Sequence, residues 1–196
     1  MAGNFNVSSS PHVRDNSSTA NIMKDVCIAM IPTLAFGCFQ FGLSALIVVI
    51  GTVIACVLAE YLYEKLMKKP ITIGDFSAVV TGLILALNMP PQIPVWMPIL
   101  GGVFAIIVVK QLYGGLGQNF MNPALAARCF LLISFAGAMT NFSSVAMNYD
   151  SSSTATPLAS LKAIGIENAM EKYSMLNIFL GRIPGTIGEV STIALL

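Results

Sequence analysis

Apolar runs decide what this chain can become. They fall into five blocks ahead of a polar loop. The first runs from about Val26 to Phe39 with Pro32 inside it, and the second from about Leu43 to Leu62. The third spans about Phe76 to Asn88 and stops at Met89-Pro90-Pro91. The fourth covers about Pro94 to Val109, and the fifth starts after Asn122-Pro123 and reaches about Ala138. Hydrophobic residues make up 56% of the chain and charged residues 10%. Soluble domains carry ~25% charged residues, so this chain is built for lipid. A full span takes ~20 residues; the second block has that length, and blocks three to five fall short. Short segments interrupted by Gly and Pro are expected where a fold builds a midplane site from broken helices. The fold expected is an all-α polytopic membrane protein: five N-terminal transmembrane helices plus the start of a sixth, the first half of an inverted-repeat fold.

The ten basic and nine acidic residues nearly cancel. That leaves no basic face for nucleic acid. Lys65, Lys68 and Lys69 follow the second block and Lys110 follows the fourth, while the turns near Phe41-Gly42 and Pro90–Pro94 carry no base. The positive-inside rule then puts the N-terminus in the cytoplasm and the loop 140–185 outside. Four segments result: a polar tail 1–22, a five-helix half 23–139, the external loop 140–185, and the start of a second half 186–196. The tail, with Ser8-Ser9-Ser10-Pro11-His12, has no signal-peptide pattern, so the first membrane helix is expected to do the targeting. The run Ile193–Leu196 has barely begun, so a longer protein is expected.

Cys27, Cys38, Cys56 and Cys129 all sit in apolar stretches, without C-x-x-C or finger spacing. They read as packing residues, or as part of a metal site completed by another subunit; no metal ligand set is assigned within the chain. No Rossmann glycine fingerprint or iron–sulfur cysteine set is present, so the chain alone holds neither NAD nor a cluster.

Thr72-Ile73-Gly74-Asp75-Phe76-Ser77 recurs as Thr186-Ile187-Gly188-Glu189-Val190-Ser191. Each copy is T-x-x-[DE], a capping-box pattern. With the topology above, the copies open helices at opposite faces, as an inverted repeat requires. Asp75 and Glu189 are either caps at the surface or carboxylates on an ion path.

Gly114-Gly115-Leu116-Gly117-Gln118-Asn119-Phe120-Met121-Asn122-Pro123-Ala124 is a further motif. Gly115 and Gly117 allow close backbone approach, and Asn-Pro-Ala reads as a helix start. Free N–H groups there, with the amides of Asn119 and Asn122, suit a flavin edge or another polar ligand; a capped membrane turn needs the same residues. Asp150-Ser151-Ser152-Ser153-Thr154-Ala155-Thr156 is by composition a Ser/Thr-rich loop.

This ordered set resembles the RnfD/NqrB family: the Ser-Pro-His tail, Asp75 with Pro90-Pro91, Gly-Gly-Leu-Gly-Gln-Asn with Asn-Pro-Ala, D-x-x-S-x-A-T followed by Pro157-Leu158, and Ile-Gly-Glu before the last apolar run. It is more similar to the ferredoxin:NAD oxidoreductase branch than to the quinone reductase branch. The resemblance implies FMN joined by a phosphoester to Thr156, with Asp150, Ser153 and Ala155 as loop neighbours. It implies a noncovalent riboflavin near Asn119, Asn122, Gly115 and Gly117, and ion uptake linked to Asp75. It also implies about ten membrane helices in two inverted halves. Thr154 stands where the family has Gly.

The implied role is a membrane-embedded flavoprotein subunit of an ion-translocating electron-transport complex in the bacterial cell membrane, relaying electrons through flavins and moving sodium or protons. Implied partners are the other subunits, a second covalent flavoprotein among them, a flavin transferase and the lipid bilayer. The rival reading is a flavin-free inverted-repeat channel or solute transporter; a third is a structural assembly subunit.

Overall fold

A computed structural model describes residues 18–142, 158, 161–162, 175–181 and 183–196. All regular structure among them is helical. Helix α1 (Thr19–Phe41) starts where Ser18 Oγ accepts from Asn21 N–H. It begins earlier than the apolar run, because Asn21, Lys24 and Asp25 form its first turns. Gly42, at φ 74°, ends α1 and opens α2 (Leu43–Leu66) with no intervening loop. That left-handed angle is one a residue with a Cβ adopts only at a cost.

The two helices are long and apolar enough to cross a membrane. The shorter apolar helices are α3 (Ser77–Leu87), α4 (Trp96–Phe104, continued by a π-helical stretch Ala105–Gln111) and α5 (Pro123–Ser134). At 1.5 Å per residue α3 and α5 reach only ~16–18 Å, about half a ~30 Å bilayer core. The fifth block is not one helix: Phe135 leaves helical geometry, and α6 (Ala136–Met139) follows. Helices α7 (Met175–Leu180) and α8 (Thr192–Leu195) lie later in the chain.

Packing centres on α2 and α3. A Cβ on Gly82 of α3 would stand 2.9 Å from Val53 Cα of α2, so only glycine permits this approach. Cys56 of α2 is fully buried against Gly102 of α4. Phe104 stacks on Phe130 (centroids 4.4 Å apart) and Trp96 meets Phe135 edge-on (5.3 Å), which ties α4 to α5 and its end.

The outward face of α2 is apolar, and its inward face mixes small apolar residues (Ala45, Val48, Val49, Cys56, Ala59) with polar ones. Leu43, Ile47, Ile50, Ile54, Leu58 and Leu62 point outward and exposed, at the 3–4 residue spacing of one helix face. Thr52, Glu60 and Glu64 point inward and buried.

The T-x-x-[DE] echo does not form capping boxes. Thr72 makes no side-chain cap, and its N–H and hydroxyl both bond the carboxylate of Glu64. Asp75 ends a short 3₁₀ turn (Ile73–Asp75), and its Oδ1 accepts from Ser77 N–H (2.8 Å) and Ser77 O–H (2.5 Å), capping α3 instead. In the second copy Ser191 caps α8 through Ala194 N–H. That copy docks by backbone on the far end of α3: Ile187 N–H bonds Met89 C=O, and Gly188 N–H bonds Leu87 C=O. The two copies thus sit at opposite ends of α3.

Candidate functional site

The chemistry gathers where the C-terminal turns of α2 meet the π-helical stretch. Widened i→i+5 turns, such as Leu112 N–H to Ile107 C=O (3.0 Å), set the consecutive Lys110 and Gln111 both inward. Such π segments are frequent at functional sites. Lys110 Nζ lies 2.5 Å from Glu60 Oε1, with the two side chains 2% and 0% exposed. The same ammonium donates to Ser77 Oγ at 2.5 Å. Gln111 Nε2 donates to Glu60 Oε1 (2.8 Å) and, at 3.4 Å, to Glu64 Oε1. Glu64 in turn holds Thr72, and Ser77 holds Asp75. Phe76, between Asp75 and Ser77, sits in the left-handed region at φ 62°. For a residue with a Cβ that costs about 1–3 kcal/mol, which the surrounding packing must hold.

Lys110 therefore does not behave as the solvated loop base that its place after an apolar run suggests. It still marks the same end of the bundle as the Lys65–Lys69 loop, because Lys69 Nζ donates to Gln111 C=O at 3.4 Å. Lys24 of α1 lies over the Phe76 ring at this end too.

Beside this cluster is a cavity of about 310 Å³, lined by Ser77, Thr81, Lys110, Leu116, Asn119 and Asn122 among others. The motif asparagines thus converge on one space, and the buried lysine faces it as well. Asn122 Oδ1 caps α5, accepting from Ala124 N–H (3.0 Å) and Leu125 N–H (3.4 Å). Its amide N–H₂ is not used by that cap. Asn119 Nδ2 donates to Met121 C=O at 2.9 Å, which leaves its carbonyl outside that bond. Capping and ligand edge are compatible here, because each asparagine has a second polar group. Gly115 and Gly117 (φ 98° and 84°) shape the turn that brings Leu116 to the cavity. A second, more apolar cavity of about 510 Å³ lies on the other side of Asn122, against Phe104, Tyr113, Phe120 and Cys129. Ligand pockets fall in the range ~300–1,000 Å³, so both are of ligand size. A flavin needs an apolar bed with a few convergent donors and acceptors, and the residues of the first cavity fit that demand.

Glu189 lies elsewhere. It is exposed, 4.0 Å from Arg128 Nη1, at the opposite end of α3 from Asp75. Arg128 also bonds Asn88 Oδ1 at 2.7 Å. The structure does not bring Asp75 and Glu189 together. Asp150, Ser153, Thr154, Ala155 and Thr156 lie outside the described residues, as do Ser8–His12. Glu60, Glu64 and Gln111 join the site without having stood out in the sequence. The signal for the first two is present there: carboxylates four apart in the last turns of an apolar helix share a face.

The profile of the NQR2, RnfD, RnfE family matches residues 6–196. The chain belongs to this family. Its relatives include the D subunit of the Na(+)-translocating ferredoxin:NAD(+) oxidoreductase complex of Acetobacterium woodii, 52% identical over 98% of this chain and 60% of that protein. The D subunit of the proton-translocating ferredoxin:NAD(+) oxidoreductase complex of Clostridium ljungdahlii is 46% identical over 97% of this chain and 60% of its own length. The D subunit of the ion-translocating oxidoreductase complex of Escherichia fergusonii is 37% identical over 92% and 61%. This NQR2, RnfD, RnfE family chain spans about 60% of the length of these curated relatives.

Proposed function

We propose that this chain belongs to a membrane-embedded, RnfD-type flavoprotein subunit in an ion-translocating ferredoxin:NAD oxidoreductase complex. One observation carries the reading: in a chain of this family, the motif asparagines Asn119 and Asn122 converge with a buried lysine on one ligand-sized cavity. In this reading the cavity takes a noncovalent riboflavin, and Thr156, in the loop 140–185, carries FMN. The flavins supply the electron-transfer chemistry when bound, and the protein sets their position and electrostatics. Asn119 and Asn122 present an acceptor and donors to a polar ring edge. Leu116 and Ile84 supply apolar surface.

The exposed apolar face of α2 supports a lipid environment. Buried ionisable groups in a membrane helix are costly and mark ion or proton routes. Glu60 and Glu64 of α2 are such groups, and the half-buried Asp75 and exposed Glu189, at opposite ends of α3, are the ends proposed for that route. The topology has the N-terminus in the cytoplasm and the FMN loop outside, where a second covalent flavoprotein subunit exchanges electrons with it. Whether sodium or protons move depends on the complex; relatives with either name exist.

In-gel flavin fluorescence that survives SDS tests this reading. It is expected from the full-length protein made with its flavin transferase, and Thr156→Ala should abolish it. Replacing both Asn119 and Asn122 by Ala should remove the extractable flavin while leaving the covalent one. The half-length α3 and α5 also suit a flavin-free channel or transporter; absence of both flavin signals would favour that.

A further inference from the structure

The cavity and the buried carboxylates meet at a single ammonium. Lys110 Nζ donates to Glu60 Oε1 and to Ser77 Oγ, while Lys110 and Ser77 both line the cavity of Asn119 and Asn122. An ammonium has three donors, so one remains beyond these two bonds. Glu60 is used unevenly. Its Oε1 accepts from both Lys110 and Gln111, whereas Oε2 is fully buried and accepts nothing. Among the described residues, Thr186 Oγ1 is the other buried side-chain atom in that position, and it lies in the second motif copy, away from this cluster. On the far side of Glu60, Gln111 reaches Glu64, and Glu64 holds the exposed Thr72. Polar contacts therefore run from the surface at Thr72 through Glu64, Gln111, Glu60 and Lys110 to the cavity.

We infer that Lys110 is a charge switch shared by the cavity and Glu60: negative charge gained in the cavity draws the ammonium away from Glu60, and Glu60 then takes up one proton at Oε2. The inference rests on the reading of the cavity as the seat of the noncovalent flavin. A buried carboxylate keeps its charge only while a cation stands beside it, and one ammonium cannot fully serve two anions. Charges balance. One electron arrives from a redox partner in the complex, one proton arrives from water along the Thr72–Glu64 side, and the net charge of the cluster is unchanged.

The ionisable groups facing Glu60 are Cys56 and Glu64 on its own helix, Asp75 from the 3₁₀ turn and Lys110 from the π segment. Asp75 is engaged by Ser77 and Glu64 by Thr72. Both bonds to Asp75 go to Oδ1 and Asp75 is half-exposed, so Glu60 Oε2 is the fully buried carboxylate oxygen in the cluster placed to receive the proton without breaking a bond. Lys110 acts here as a positioning residue, through its charge.

Redox-difference infrared spectroscopy on the purified intact complex, reduced electrochemically, tests this. Flavin content is measured in every preparation. In the wild type, reduction should bring up the carbonyl band of a protonated carboxylic acid, shifted in D₂O. Glu60→Gln should lose the band. Lys110→Met should lose it too, because Glu60 then carries the proton in both redox states. Lys110→Arg keeps the cation and should retain it. Should the single variants fail to assemble, the double variant Glu60→Gln/Lys110→Met, which leaves neither member of the pair stranded, should assemble with flavin and without the band. A band that persists in Glu60→Gln or Lys110→Met with flavin bound overturns the switch. So does a wild type whose flavin potential follows sodium with no carboxylic band. Flavin that survives loss of both Asn119 and Asn122 refutes the cavity assignment separately, and the switch falls with it.

Discussion

Replacing Lys110 by Met keeps the length of the side chain and removes its ammonium. Glu60 is then a fully buried carboxylate whose remaining bond is the one from Gln111. Breaking a buried pair from one side costs about 3–5 kcal/mol, because the carboxyl group must take up a proton or stay charged without its partner. Folded domains hold only about 5–15 kcal/mol in total, so the loss is large. At ~2–4 °C per kcal/mol for a chain of this size, the midpoint of thermal unfolding should fall by about 6–20 °C. Glu60→Gln should cost a similar amount, since it strands the ammonium of Lys110. The double variant Glu60→Gln/Lys110→Met removes both charges and should recover most of either loss. The assay is heat-induced unfolding of the four proteins in one detergent, read by the fraction that stays monodisperse. Residues in direct contact couple by about 0.5–3 kcal/mol, so the double variant must lie well above the sum of the singles. Strictly additive losses would mean that Glu60 and Lys110 do not share a buried contact, and the site described above would be wrong.

Two other outcomes follow from the packing. Gly82→Val forces a side chain into the α2 backbone at Val53 and should destabilise the protein by about 1–3 kcal/mol, seen as a lower unfolding midpoint; an unchanged midpoint would show that α2 and α3 do not approach this closely. The proposed inverted repeat puts the two motif copies on opposite sides of the membrane, so cysteines at the exposed positions 72 and 189 should label from opposite sides; labelling from one side would exclude it.

Apolar blocks two, three and four are legible as helices, because hydrophobic run length and Pro punctuation act locally. The break of the fifth block at Phe135 is not, since that residue leaves helical geometry where its ring meets Trp96. Asn119 and Asn122 are legible as a pair by spacing and motif, and the structure puts both on one cavity. The capping-box pattern misleads for a tertiary reason. The Thr72 hydroxyl has a stronger acceptor in the Glu64 carboxylate than in a neighbouring backbone group, and that partner lies eight residues away on another element. Lys110 misleads for the same kind of reason: a base at the end of an apolar run looks interfacial until its partner, fifty residues back, is placed beside it.

That long separation also says what the sequence signal for such a site is. Neither Glu60 nor Lys110 is unusual alone, since charged residues often close a membrane helix. The informative combination is a pair of carboxylates at i and i+4 near the end of one apolar helix, and a Lys-Gln doublet at the end of another. The first pair puts two acceptors on one face. The doublet supplies two adjacent donors, and the π-helical turn lets both reach that face. An ordinary α-helix would rotate Gln111 about 100° away from Lys110, since it has 3.6 residues per turn. The π segment is therefore part of the site's construction: its wider turns narrow the angle between the two donors that hold Glu60, while Lys110 stays in contact with the cavity.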